Sequence, residues 1–111
     1  MHRALNDSQV RNILTEWVAL TAGAPLVTPS VKDIWGLETV TLPAQGRTDL
    51  DSALYVYDEH VDPTPTNNVP PDVDNGTHEG VPRQPSLQEH WYQFLEHERF
   101  VNVCDGPCDP E

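Results

Sequence analysis

The chain has 111 residues, 37% of them apolar, and carries 18 Asp and Glu against 6 Lys and Arg, a formal net charge of −12. That length makes one small acidic domain over residues 1–111, with enough surface left wet that a partner subunit would add stability. Its negative field opposes direct binding to nucleic-acid phosphates and anionic bilayers. It leaves room for cationic partners, a nucleic-acid-mimicking inhibitor, or a salty, halophilic cytoplasm that screens the charge.

No apolar run reaches the length of a membrane span, and residues 1–7 lead into a polar-faced helix instead of a signal-peptide core, so the cytoplasm is the expected location. Asp7 or Ser8 can cap a helix starting near Gln9. Val10, Ile13, Leu14, Trp17 and Val18 then recur at spacings of three and four, the pattern of a buried helical face with Trp17 near its middle. Gly23 and Pro25 stop it.

Val31 to Leu42 reads as one or two short strands with Gly36 as a bend, and Pro43 to Leu50 as a turn region. Ala53-Leu54-Tyr55-Val56-Tyr57 is the strongest strand signal, with alternation that would extend it through Asp62. Residues 63–85 hold six prolines, at 63, 65, 70, 71, 82 and 85. That stretch reads as an irregular arm or functional loop. Ser86 and Glu89 then match a capping box opening a second helix, with Leu87, Trp91, Phe94 and Leu95 as its apolar face. Phe100–Val103 could add an edge strand. The expected fold class is α+β, with two amphipathic helices on a small, mostly antiparallel sheet and a long proline-rich irregular segment.

Asp58, His60 and Asp62 are the first candidate for chemistry. At spacing two on a strand they share one face, and two carboxylates with an imidazole form a ligand set for iron, manganese or zinc. The plainer reading is a solvated strand end. His78, in Asn75-Gly76-Thr77-His78-Glu79-Gly80, can serve as a general base projected from a loop, or be an ordinary loop histidine. A strand ending in Asp, a loop His between glycines and a closing amphipathic helix together resemble the last part of an α/β-hydrolase, over roughly residues 53–95. That resemblance implies Asp58 or Asp62 as triad acid and His78 as triad base. The chain has no Gly-x-Ser-x-Gly elbow, so the nucleophile would come from another chain. Cys104 and Cys108 are separated by three residues, which is neither the two-residue spacing of a redox pair nor half of a four-cysteine zinc site; free thiols are expected, or a disulfide clip in an oxidising compartment.

The leading functional expectation is a non-catalytic interaction or accessory subunit of a complex, or a homo-oligomer. Trp17, Trp35, Trp91 and Tyr92 are its interface anchors. The alternatives are a metal-dependent enzyme through Asp58/His60/Asp62, a hydrolase-like subunit through Asp58 and His78, and an acidic nucleic-acid mimic. No cofactor is specified by the sequence.

Overall fold

The computed structural model describes residues 1–67 and 69–110. Three α-helices and one 3-10 turn pack on two small, two-stranded parallel sheets. In chain order the elements are β1 (His2–Ala4), α1 (Asn12–Ala22), β2 (Leu26–Thr28), β3 (Thr39–Thr41), β4 (Tyr55–Tyr57), α2 (Thr77–Gly80), the 3-10 turn Val81–Arg83, and α3 (Pro85–His97).

The sheet is parallel, not antiparallel. β4 lies beside β1 with Tyr55, Val56 and Tyr57 opposite His2, Arg3 and Ala4. β3 lies beside β2 with Val40 opposite Val27. A parallel bridge between Leu26 and Leu54 joins the two pairs. An antiparallel meander needs tight turns between strands that are neighbours in sequence; here α1 is the crossover from β1 to β2, and β4 enters the space between them. Parallel strands covered on both faces are apolar throughout, and every residue of β4 is buried. Among the described residues Phe100 makes only an antiparallel bridge to Arg47, so Phe100–Val103 is not an edge strand.

Alternation in β4 sorts its side chains into two cores. Tyr55 and Tyr57 join Ala4, Val81, Leu87 and Phe100 on the side of α3. Val56, with Leu54 and Leu26, joins Ala19, Ala24 and Ile34 on the side of α1.

α1 starts at Asn12, later than the expected Gln9, but ends as expected, with Gly23 left-handed (φ 64°) and the Ala24 N–H returned to the Ala19 carbonyl at 2.9 Å. Its orientation is the reverse of the expected one. Ala19 is its only fully buried residue, whereas Ile13, Leu14, Val18 and Trp17 (59% exposed) face outward. Two features turn the helix. Ala19 is small enough for the backbone to approach the sheet closely, and Glu16 reaches inward to Arg3 of β1 at 2.7 Å.

α3 also starts differently. Gln84 is its N-cap, Pro85 opens the first turn, and no side chain caps it, so Ser86 and Glu89 do not form the expected box. Leu87 and His90 are its buried residues, whereas Trp91, Phe94 and Leu95 of the expected apolar face are exposed, Leu95 to 73%. The described residues of the arm from 63 to 85, which leave out residue 68, are irregular as far as the short helix α2 and the 3-10 turn. Arg11 fastens it by donating to the Pro65 and Val69 carbonyls. None of the helices is long and apolar enough to cross a membrane among the described residues.

Candidate metal centre and the groove between α1 and α3

β4 ends at Tyr57, where the chain meets the C-terminal segment. The Asp58 N–H donates to the Cys108 carbonyl at 3.1 Å, beside the bridge between Tyr57 and Cys108. Asp58 Oδ1 then accepts the His60 N–H at 2.9 Å, and His60 takes a left-handed backbone, φ 55°. That turn sends the imidazole toward the C-terminal segment, where Nε2 lies 2.7 Å from Asp109 Oδ1. Ligand atoms of Asp58, His60 and Asp109 lie within 4.8 Å of one another. All three residues are at least partly open to solvent.

Asp58 and His60 are therefore brought together as the sequence suggested, but by a turn and not by strand alternation. Because the strand ends at Tyr57 and His60 takes a left-handed backbone, the alternation that would have put Asp62 on their face is broken, and Asp62 is not among the gathered ligands. Asp109 takes its place, a residue that no local pattern tied to the other two.

His78 belongs to α2 and not to an open loop. Its Nδ1 lies 2.9 Å from Asp7 Oδ2, while Asp7 Oδ1 accepts the Gln9 and Val10 N–H groups. The carboxylate fixed on His78 is thus Asp7 and neither Asp58 nor Asp62, so the hydrolase-like arrangement does not assemble. Asp7 does not cap α1 as expected: Arg11 is the N-cap, with no side-chain cap, and Asp7 instead holds the Gln9 and Val10 N–H groups of the loop before the helix.

Cys104 and Cys108 are joined by a disulfide, the clip that stood as the alternative to free thiols. Their sulfurs lie near His90, and the three ligand atoms fall within 4.8 Å. Metal binding by cysteine needs thiolates, so this trio is not a ligand set while the disulfide stands. His90 is also engaged: Nδ1 meets the Tyr57 hydroxyl at 3.1 Å and Nε2 accepts the Val103 N–H at 3.3 Å. Burial pushes His90 down to about 4 and His2 down to about 3, and pushes the Tyr57 phenol up to about 12.

A groove of about 670 Å³ runs between α1 and α3. Asn12 and Thr15 of α1, with Val10 just before it, line one side, and Trp91, Phe94 and Leu95 of α3 the other. His2, on the free edge of β1, stacks on Tyr55 (ring centroids 5.2 Å apart, 14° between planes), and His90 stacks on Tyr55 at 4.0 Å. Asp7 and His78 also line it. The four expected interface aromatics are all exposed, Trp35 to 92%, but they are spread out. Trp91 borders the groove, Tyr92 meets His97 edge-on outside it, and Trp35 precedes Gly36, which packs on Leu20 of α1.

Comparison with known protein families, curated proteins and solved structures finds no match to this chain.

Proposed function

We propose that the protein binds a divalent transition-metal ion through Asp58, His60 and Asp109. The observation that carries this reading is that the end of β4 and the C-terminal segment converge to gather two carboxylates and an imidazole within 4.8 Å. An imidazole with two carboxylates suits zinc, manganese or ferrous iron better than calcium or magnesium, which prefer all-oxygen shells. A bound ion would take over the His60–Asp109 contact and leave coordination positions open to water or substrate, the arrangement metal-dependent catalysis requires. Elemental analysis of tag-free protein, dialysed against zinc or manganese and then against buffer, tests it. Near-stoichiometric retention is expected; substoichiometric metal in every preparation would return the cluster to the status of a solvated surface.

A second reading, an accessory subunit docked on a protein partner, rests on a separate observation. The outward face of α1 presents Ile13, Leu14, Trp17 and Val18 to solvent, with Trp35 also exposed. Such contiguous apolar surface marks interaction sites in soluble proteins. Sedimentation in near-physiological and in molar salt checks this: association or a co-purifying partner is expected, and a stable monomer in both conditions contradicts it.

A further inference from the structure

A ring nitrogen of His90 and the sulfurs of Cys104 and Cys108 form a second group of ligand atoms, all within 4.8 Å of one another. In the oxidised chain both sulfurs are tied up in their mutual bond. What surrounds them does not depend on that bond. The Cys108 carbonyl accepts the Asp58 N–H at 3.1 Å, beside the bridge to Tyr57. Cys104 sits on a turn that closes itself. Its N–H donates to Asn102 Oδ1 at 3.0 Å, Asn102 Nδ2 donates to the Gly106 carbonyl at 3.1 Å, and the Gly106 N–H returns to the Cys104 carbonyl at 2.8 Å. Opening the sulfur–sulfur bond breaks none of these, so both thiols stay beside His90. A three-residue spacer lies within the range that zinc-binding cysteine pairs use, and an imidazole stands where a second pair would be.

His90 is held in the tautomer a metal needs. A backbone N–H can only donate, so the Val103 N–H at 3.3 Å places the lone pair on Nε2. Nδ1 then carries the proton and donates it to the Tyr57 hydroxyl at 3.1 Å. Metal-ligating histidines are fixed in this way, one nitrogen free for the ion and the other donating to an outer partner. Val103 is 40% exposed, so water can take over its N–H when an ion arrives.

Charge and softness choose the ion. His90 and Cys108 are buried and Cys104 is half-buried. Two thiolates neutralise a divalent ion and the imidazole adds no charge, so the loaded site is neutral, as burial requires. A monovalent ion would leave a net negative charge inside. Magnesium and calcium prefer oxygen, whereas two sulfurs and a nitrogen suit zinc, with a fourth position on the half-buried Cys104 side for water.

We propose that a dithiol reductant converts the Cys104–Cys108 disulfide into a zinc site, with the two thiolates and His90 as ligands. The disulfide takes two electrons and two protons from the dithiol, which leaves as its own disulfide. Zinc then displaces the two thiol protons to water. The site shares no residue with the Asp58, His60 and Asp109 cluster and does not rest on that reading.

The test reduces the full chain with dithiothreitol, removes the reductant without oxygen, and titrates with cobalt, whose thiolate charge-transfer absorption reports sulfur ligands. One cobalt per chain with that absorption is expected, displaced by zinc, and none in the oxidised chain. His90→Gln should weaken cobalt binding by roughly tenfold or more, since even the loss of an outer partner costs that much. His60→Ala should leave the absorption in place, so the two metal readings fail separately. In the unaltered reduced chain, zinc should move the His90 ring-nitrogen resonances, a readout that needs no variant to fold. Absence of the thiolate absorption, an affinity unchanged in His90→Gln, unmoved His90 resonances or loss of the absorption in His60→Ala each overturns the proposal. A reduced chain that unfolds and holds cobalt through sulfur alone would leave the His90 resonances unmoved, and so counts against it as well.

Discussion

Glu16→Ala should destabilise the fold by about 3 kcal/mol, the lower end of the range for breaking a buried ion pair. Arg3 sits on β1, 2% exposed, with α1 over it, and its charge is compensated by Glu16 at 2.7 Å. Its Nε and Nη1 atoms are buried without hydrogen-bond partners, so the guanidinium already lacks part of the satisfaction it had in water. Burial lowers its pKa, and the nearby Glu16 carboxylate acts in the opposite direction. Removing that carboxylate strands the positive charge inside. The low end of the range applies because the Glu16 side chain is 21% exposed, so some water can enter behind it. Replacing the pair together, as Arg3→Met with Glu16→Leu, removes both desolvation costs and should restore stability to within about 1 kcal/mol of the parent, or raise it. Urea unfolding followed by far-UV circular dichroism measures both variants, with a constant m-value confirming that the denatured state is unchanged. A loss below about 1 kcal/mol in Glu16→Ala is what an exposed pair gives, and would refute the inward orientation of Glu16 on α1.

Trp17→Ala should cost no more than about 1 kcal/mol, as surface substitutions do, whereas Leu87→Ala, at a side chain 1% exposed, should cost about 2–5 kcal/mol; equal losses in urea titrations would contradict the assigned faces. Acid should destabilise the protein through His2 and His90. Both are neutral in the fold, with values of about 3 and about 4 against 6.5 unperturbed, so the unfolded chain binds more protons between those limits. Stability is therefore full above about pH 6.5 and falls as pH drops toward 4, by on the order of 3 kcal/mol for His90 alone. His90→Gln should flatten that dependence in pH-resolved thermal melts, and an unchanged slope would count against it. Reducing the Cys104–Cys108 disulfide should cost about 2 kcal/mol by loop-closure entropy, and, because Cys108 precedes Asp109, it should weaken manganese binding there as well; identical manganese titrations with and without reductant would separate Asp109 from the site.

Element existence was legible in the chain more often than element orientation. The 3.6-residue stripe and Gly23 mark α1 correctly, because both are local properties of the backbone and its side chains. Which face of α1 turns inward depended on Arg3, and a charged residue on a neighbouring strand leaves no trace in a hydrophobic period. Tyr55-Val56-Tyr57 was recognisable as a strand from its β-branched and aromatic content. Its parallel partner was not, since His2-Arg3-Ala4 carries no strand signal of its own. At the candidate metal site, Asp58 and His60 were visible through their spacing. Asp109 was hidden because a C-terminal residue is brought in by backbone pairing at Cys108, and Asp62 was included only because alternation was extrapolated past the end of β4. For His78 one signal was available: Asp7, read as a helix cap, has a second carboxylate oxygen free to take an imidazole.

The most direct test of the central claim is a calorimetric titration of metal-free protein with zinc and with manganese, repeated on His60→Ala, Asp109→Asn and Asp62→Asn. One ion per chain is expected, zinc tighter than manganese as the stability order of divalent metals requires, with binding weakening as acid protonates the imidazole. His60→Ala and Asp109→Asn should abolish it, and Asp62→Asn should leave it intact. No saturable heat with either metal, or loss of binding in Asp62→Asn with Asp109→Asn unaffected, would contradict the assignment.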